Sequence, residues 1–450
     1  CNVVIGHGAD VGSATGNNQF IIGIDGNHWI CGDSNFNVFD KNGNSFGFGP
    51  DADENLVAGT NAGANLDGSN GCFNVIFGYD TGNDVTSGDT NVFLGKGAAS
   101  KHTTGGCNIF LGQYAGRGAS SSGGTGHNNI AMGCNALSEQ LTSGCYNIAL
   151  GDSAGKCIAD GKYNITIGSC AGCKTTSGER NIAIGLLTGA KTSAGGTGKC
   201  NVFIGSYISN VITSGCNNIG IGDYTSQGLT TGKWNISLGL YAGSACADTK
   251  GRNISIGRCT NLRTYGELNI AIGENAGQGT APSSTGDNTG CDNIFLGTDS
   301  GRCITTGNKN VFLGYYAGKC VTSGTDNIVM GCNAGAKLTT GQRNVLIGRN
   351  AGAAATLTGD TNVFIGSNVG DNTTSGELNI GMGYLSLASG TLTGAYNIGI
   401  GCGAGRNVTS GNCNIFMGHN AGCGLTAACH NVFLGNYAGK IIGAGCCNVF

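Results

Sequence analysis

A five-residue box that recurs along the chain sets the pattern of apolar and polar positions. The box consists of Asn, then Val or Ile, then a variable residue, then Ile, Leu, Met or Phe, and finally Gly, as in Asn310 to Gly314. From Asn74 onward it usually returns after 17 residues. A fixed period in this range is typical of solenoid proteins, in which each repeat forms one coil of a stack.

Each box predicts a short β-strand, because β-branched and aromatic residues alternate through it and Gly ends the run. The rest of a coil, such as Tyr316 to Gly324, is rich in Gly, Ser and Thr, which is typical of turns and disfavours a helix. The predicted fold class is therefore all-β, a parallel β-solenoid or β-roll of about 26 coils with a period of 17 to 18 residues.

The period can be traced through the whole chain, so residues 1–450 are predicted to form a single continuous solenoid. Gln19 to Gly23 keeps the box, and residues 24–54 are predicted to be degenerate coils. A few coils are longer, and the stretch around Pro282 to Thr285 is expected to be the most accessible loop. Because both ends of the sequence fall inside boxes, we expect a segment without capping units.

The alternation of side chains along a strand predicts which residues of the box face the core. In a narrow coil we expect the first and third residues after Asn, such as Val311 and Leu313, to face inward. The middle residue would then face solvent, although it is mostly apolar. An exposed apolar stripe of this length promotes association, so we expect other copies of the chain to cover it. The alternative is a strand that is buried on both faces within one chain. The predicted interchain stripe comprises Phe93, Phe110, Phe203, Phe295, Phe312, Phe364, Phe416 and Phe433.

The repeated Asn is predicted to have a structural role. Stacked amides at one corner of successive coils can hydrogen-bond to one another and to turn backbone, as amide ladders do in other β-structures. The predicted ladder includes Asn91, Asn108, Asn147, Asn164, Asn310, Asn327, Asn362 and Asn431.

Composition narrows the classes of partner. The chain has 87 Gly and only 2 Pro, and Gly does not occur at every third position, so the sequence is not collagen-like. Charged residues make up 11% of the chain, the net charge is −3, and no basic block is present, which argues against a nucleic-acid partner. No apolar run reaches the roughly 18 residues that a membrane-spanning helix needs.

The chain contains 23 Cys, and some of them fall at matching positions of successive coils. Cys303 and Cys320 are 17 residues apart, as are Cys429 and Cys446. Neighbouring coils lie ~4.8 Å apart, which is within the Cα separation that a disulfide allows. These pairs are candidate disulfides between coils. Other Cys residues are open to two further roles, as buried thiols or as bridges between chains.

The sequence shows no constellation of catalytic or metal-binding residues. Cys170 and Cys173 have CxxC spacing, but no second pair or clustered His completes a metal site. The 6 His are dispersed, and no paired carboxylate motif recurs. We therefore predict a protein that is not an enzyme, with no metal and no cofactor.

The box and its turn resemble the 17-residue repeats of tail-fibre-like proteins from phages and large viruses. They are also similar, more distantly, to the heads of trimeric autotransporter adhesins. The resemblance is carried by Asn147 to Gly151 with Ala154 and Gly155, and by Asn362 to Gly366 with Thr373 to Gly376. It implies a side-by-side homotrimer of β-rolls in an extracellular, cell-surface or virion appendage.

The function predicted from these patterns is the structural shaft of a fibre or filament, formed by coil stacking and lateral association of identical chains. With a rise of ~4.8 Å per coil, such a shaft would be on the order of 120 Å long. The alternative is an adhesin-like fibre whose turn surfaces bind a cell-surface glycan or receptor protein.

Overall fold

The computed structural model describes residues 3–5, 20–24, 27–32, 38–40, 51, 53–66, 70–118, 123–139, 142–189, 195–209, 211–244, 251–261, 265–279, 288–353, 355–440 and 445–450. The loop around Pro282 to Thr285 lies outside these ranges. None of the described residues is helical, and the fold is an all-β parallel solenoid of about 20 coils. The chain divides into two compact units, Cys1–Asn201 and Val202–Phe450.

Most of the first unit is a parallel sheet in which each strand pairs with its neighbours in sequence. Its strands are β1 (Val3–Ile5), β2 (Phe20–Ile24), β3 (Asn27–Gly32), β4 (Val38–Asp40), β5 (Leu56–Ala58), β6 (Val75–Phe77), β7 (Val92–Leu94), β8 (Ile109–Leu111), β9 (Ile130–Met132), β10 (Ile148–Leu150), β11 (Ile165–Ile167) and β12 (Ile182–Ile184). From β5 to β12 every pairing is parallel and joins equivalent residues of adjacent boxes.

The first four strands form a separate sheet that departs from the coil pattern. β1 and β2 pair in parallel with Val3 opposite Phe20, which preserves the 17-residue spacing. β3, however, is antiparallel to both β2 and β4. Within residues 24–54, the described strands therefore do not follow the predicted succession of degenerate coils. The missed signal is the Asp25-Gly26 dipeptide between β2 and β3, because Asp-Gly between two strands favours a tight hairpin.

The second unit continues the same design. Its strands are β13 (Val202–Ile204), β14 (Ile219–Ile221), β15 (Ile236–Leu238), β16 (Ile254–Ile256), β17 (Ile270–Ile272), β18 (Ile294–Leu296), β19 (Val311–Leu313), β20 (Ile328–Met330), β21 (Val345–Ile347), β22 (Val363–Ile365), β23 (Ile380–Met382), β24 (Ile398–Ile400), β25 (Ile415–Met417) and β26 (Val432–Leu434). They pair in parallel in chain order, and the register matches box to box, as Phe312 opposite Val329 illustrates.

The Gly that ends each box is required by the stacking of coils. Gly314 has a φ of +130°, a conformation that L side chains rarely adopt, and a Cβ on it would lie 2.8 Å from the carbonyl oxygen of Gly331 in the next coil. The Gly331 N–H donates to the Leu313 carbonyl at 2.8 Å, which continues the interstrand hydrogen bonds. A side chain at this position would therefore separate the coils.

Each coil contributes a small number of side chains to the core. Positions are numbered from the Asn of the box as position 0, so that Phe312 is at position 2 and the residue before Asn is at position −1. Phe312, Ala317 and Val321, at positions 2, 7 and 11, are all fully buried and belong to one hydrophobic cluster. Equivalent apolar residues form two further clusters, one around Phe93 and one around Phe203.

The predicted assignment of the strand faces was wrong. Phe312 is fully buried inside one chain, whereas Val311 and Leu313 are only partly buried. The other predicted stripe residues are also buried, with at most 2% of their area exposed: Phe93, Phe110, Phe203, Phe295, Phe364, Phe416 and Phe433. The physical reason is alternation, since position 2 shares its side of the strand with the buried Asn at position 0.

The sizes of core side chains in adjacent coils compensate for each other, so that a large residue at position 7 is followed by a small one at position 2 of the next coil. Position 7 is usually Ala, but it is Ile208 in one coil and Val369 in another. In each case position 2 of the following coil is Gly, and a Cβ at Gly381 would lie 2.7 Å from the Val369 side chain. A large residue at position 7 thus occupies the space that a side chain at position 2 of the next coil would fill.

Phe312→Ala is expected to lower the free energy of unfolding by about 3–5 kcal/mol, because it leaves a cavity in a fully packed core. Leu313→Ala removes a partly exposed side chain and should cost about 1 kcal/mol or less. Urea unfolding of dilute protein, followed by circular dichroism, measures both values. A larger loss for Leu313→Ala than for Phe312→Ala would contradict this assignment of faces.

Candidate functional site: an asparagine ladder and an apolar strand face

Within each of the two units, the Asn side chains form a hydrogen-bonded ladder along the inside of the strand. The Oδ1 atom of Asn293 accepts both the backbone N–H of Asn310, at 3.0 Å, and its side-chain amide, at 3.1 Å. The same amide donates to the carbonyl of Gly324 at 2.9 Å. The Oδ1 of Asn310 then accepts the backbone N–H and amide of Asn327. Each Asn therefore links three successive passes of the chain.

The structure places all eight predicted ladder residues in this arrangement. Each has at most 1% of its area exposed, and each donates to the preceding Asn and to a turn carbonyl. They are Asn91, Asn108, Asn147, Asn164, Asn310, Asn327, Asn362 and Asn431.

The residue before each Asn has a left-handed backbone conformation. Lys309, Asp326 and Arg343 all have φ of 56°. A non-Gly residue in this region costs about 1–2 kcal/mol. The conformation recurs with many residue types, so it is imposed by the coil rather than by local preference. The buried hydrogen bonds of the following Asn are the interactions that hold it in place.

The outer face of the strand consists of two apolar columns, at positions 1 and 3. From β5 to β26 these positions hold Val, Ile, Leu or Met, apart from Ala58 and Phe77, and none is buried. Ile328 and Met330 of β20 are 41% and 37% exposed. No charged residue occurs within any of these strands.

Exposed large apolar side chains are confined to this side of the coil. Among the described residues with more than about a third of their area exposed, all lie between positions −1 and 6. They are Phe73, Tyr79, Val92, Leu94, Ile109, Met132, Tyr146, Tyr163, Leu186, Ile204, Ile219, Ile221, Trp234, Leu240, Tyr241, Leu268, Ile272, Tyr315, Ile328, Met330, Leu378, Met382, Tyr384, Tyr396, Met417, Leu434, Tyr437, Val449 and Phe450.

The flanks of the apolar columns combine aromatic and charged side chains. Position −1 holds Tyr146, Tyr163 and Trp234 in some coils and charged residues of both signs in others. Tyr146 and Tyr163 stack at 4.9 Å between ring centroids, and the guanidinium of Arg252 lies 5.8 Å from the centroid of Trp234. An apolar centre with an aromatic and charged rim is the usual anatomy of a protein interface.

A shallow groove lies beside the face in the first unit. It has a volume of about 390 Å³ and is lined by Tyr79, Asp80, Asn83, Lys96, Gly97, Ser100, Lys101 and Tyr114. The Lys96 ammonium lies 5.9 Å from the ring centroid of Tyr79, and Lys101 pairs with Asp84 at 2.9 Å. Two tyrosines, amide groups and cations together can bind a polar ligand such as a sugar or an acidic group.

The four candidate disulfide cysteines are free thiols in the structure: Cys303, Cys320, Cys429 and Cys446. Each predicted pair occupies matching positions of adjacent coils. Burial, followed by the neighbouring Cys320, raises the pKa of the Cys303 thiol above its ordinary value. The thiol form is therefore favoured at neutral pH. Both disulfides stay predictions.

His102 occupies a core position that is apolar in most other coils. It lies at position 11, where Val85 and Ile304 are fully buried, and it contacts Phe93 and Phe110 edge-on. Its Nε2 lies 3.3 Å from the amide of Asn108, and its Nδ1 has no hydrogen-bond partner. Burial lowers the pKa of His102 to about 4. The ring is therefore neutral in the folded protein.

Within the described ranges, no three His, Cys, Asp or Glu side chains are grouped so that they could hold a metal ion. The part of the chain that the structure describes also contains no helix with the length and apolar character needed to span a membrane.

Comparison of the chain with protein-family models, curated proteins and solved structures finds no match in any of the three.

Asn310→Asp should destabilise the protein by several kcal/mol at neutral pH. The carboxylate would face two acceptors, the Asn293 Oδ1 and the Gly324 carbonyl, in a buried site. Stability should partly return as the pH falls from neutral toward about 4, because the buried site raises the pKa of the new carboxyl above its ordinary value and the protonated carboxyl can donate once. Thermal melts across this pH range measure the effect. The control is Asn412→Asp, since the exposed Asn412 side chain accepts from the Ala395 N–H and an Asp can do the same.

The buried His102 should make the first unit sensitive to acid. Its pKa in the folded state is below the ordinary value near 6.5, so the unfolded chain binds a proton that the folded chain excludes. This contribution is fully present above about pH 6.5 and is lost as the pH falls toward 4, by on the order of 3 kcal/mol. His102→Leu should flatten the loss in denaturant titrations, whereas substitution of the exposed His430 by Gln should leave it unchanged.

Proposed function

We propose that the protein is the structural, non-catalytic shaft of an extracellular or virion fibre, built by coil stacking and lateral association of identical chains. The observation that carries the proposal is the ladder. Asn310 and its equivalents connect successive coils within each unit through buried hydrogen bonds, and one hydrophobic cluster extends from Ala271 to Phe433. A stack of coils joined in this way is suited to an extended mechanical support and not to the positioning of reactants.

The proposed extracellular or virion location of the fibre is based on the resemblance of the box to the repeats of tail fibres and adhesin heads. The composition supports a protein partner rather than a nucleic acid, because the net charge is −3 and the charged residues have both signs. Identical copies of the chain are therefore the proposed partners, as in the expected homotrimer, and no cofactor is assigned.

An adhesin that binds a cell-surface glycan or receptor protein is the second candidate function. The groove between Tyr79, Lys96 and Tyr114 supports it, because aromatic rings beside cations and amides suit carbohydrate recognition. The chain should be tested on a glycan array together with Tyr79→Ala. Specific binding that this substitution abolishes would favour the adhesin over a shaft.

A shaft should tolerate removal of whole coils but not of part of one. Deletion of residues 311–344 joins Asn310 to Val345, which keeps the box and the ladder register. We expect this variant to fold with an unchanged circular dichroism spectrum per residue, and its particles should be about 10 Å shorter in electron micrographs. Deletion of residues 311–318 breaks the register and should abolish cooperative unfolding. Equal damage by both deletions would count against the shaft.

A further inference from the structure

We propose that the outer strand face is a homotypic interface, on which a second copy of this chain docks. The proposal rests on the proposed function, because it names the surface through which the shaft associates laterally. It replaces the Phe stripe, which is buried inside one chain, with the columns at positions 1 and 3.

The composition of the face is that of an interface core. Throughout β13 to β26 positions 1 and 3 are Val, Ile, Leu or Met, and none of them is buried within the chain. In a sheet with one face in water, the strand positions that face solvent are normally polar, and they alternate with apolar positions that face the core. Here an unbroken apolar surface faces outward, and a surface of this kind marks an association site.

The position of the exposed apolar side chains supports the same face. All large apolar side chains with more than about a third of their area exposed lie between positions −1 and 6 in the described coils. The remaining part of each coil carries polar and small side chains at its exposed positions. Random surface exposure would distribute apolar residues over both sides, so the apolar surface belongs to one face.

The rim favours a protein partner over a lipid surface. Helices and faces that bind membranes carry an excess of Lys and Arg around the apolar surface. Over four successive coils beside this face, position −1 alternates in charge, with Asp292, Lys309, Asp326 and Arg343. Mixed charges can pair across an interface and set its register.

The area of the face is close to that of a standard protein interface. Three residues of extended chain are ~10 Å long, and each strand adds ~4.8 Å, so the fourteen strands β13 to β26 present on the order of 700 Å². A standard interface buries about 800 Å² per partner. The second unit alone therefore approaches the area that a specific complex needs.

The regular spacing of the face selects a second copy of the chain as the occupant. Its rows of apolar side chains repeat at the strand spacing, so a partner must repeat at the same spacing to pack against every row. Another copy meets this requirement by construction, because its own face has the same rise and width. A globular partner would cover a few rows and leave the others in water.

The four methionines of the chain provide probes in the unmodified protein. Met132, Met330, Met382 and Met417 all occupy position 3, and all are 37–42% exposed in a single chain. Hydrogen peroxide oxidises accessible thioethers to sulfoxides. If copies dock through this face, oxidation of these methionines should slow several-fold as the protein concentration rises and the chains associate. Mass spectrometry of peptides measures each rate.

A charged variant tests the same surface by sedimentation equilibrium. Ile219→Lys, Ile221→Lys, Ile272→Lys and Ile328→Lys are combined, because these side chains are 37–41% exposed and point away from the core. The matched control combines Ser214→Lys, Thr231→Lys, Ser323→Lys and Thr340→Lys, all exposed at position 13. The unmodified chain and the control should sediment as dimers or larger assemblies, and the face variant as a single chain.

The outcomes separate this interface from the shaft itself. An unmodified chain that is monomeric at all concentrations, with concentration-independent methionine oxidation, would overturn the interface but leave the results of the coil deletions unaffected. A face variant that assembles like the control would also overturn it. Flotation of a monomeric chain with phosphatidylcholine vesicles would assign the face to lipid. If the variant loses its circular dichroism spectrum, the methionine rates of the unmodified chain decide.

Discussion

The amide ladder is the interaction on which the rest of the structure depends. An Asn at position 0 can satisfy both donors and its acceptor only if the next Asn lies one strand spacing away in exact register, as Asn293, Asn310 and Asn327 do. This requirement fixes the register between coils, even where a coil is longer, as between Asn269 and Asn293, and it accompanies a left-handed residue before the strand. It also requires Gly at position 4, because nothing larger fits between coils at that spacing. The Asn and Gly of the box are therefore the residues that the geometry of the ladder requires.

The period, the strand and the ladder could be predicted from the sequence because they depend on residues that recur at fixed positions. The faces of the strand were predicted in reverse because the first and third residues after Asn were expected to fill the core of a narrow coil. Val311 and Leu313 vary little along the chain, whereas position 2 ranges from Phe312 to Gly381. Residues two positions apart lie on the same side of a strand, and a ladder Asn such as Asn310 must be shielded from water. This relation correctly predicts that position 2 is buried.

Other features could not be obtained from the repeat. β3 interrupts the parallel order through a hairpin, and only the local Asp-Gly dipeptide indicates it. The groove around Tyr79 and Lys96 depends on which turn side chains meet across coils, and it appears only when the coils are stacked. His102 is recognised as unusual only once position 11 is known to be buried, because its sequence neighbours resemble any polar turn.

The compensation between positions 7 and 2 has a consequence for how such a chain can change by recombination. Ile208 and Val369 each require Gly at position 2 of the next coil, so a coil is matched to its successor and not only to the shared fold. Unequal crossing-over that duplicates or removes a coil at such a junction would juxtapose a large residue with a Phe ring. Junctions with Ala at position 7, such as that after Ala317, accept either neighbour. The chain therefore contains permissive and restrictive breakpoints, and repeat number is free to vary only at the permissive ones.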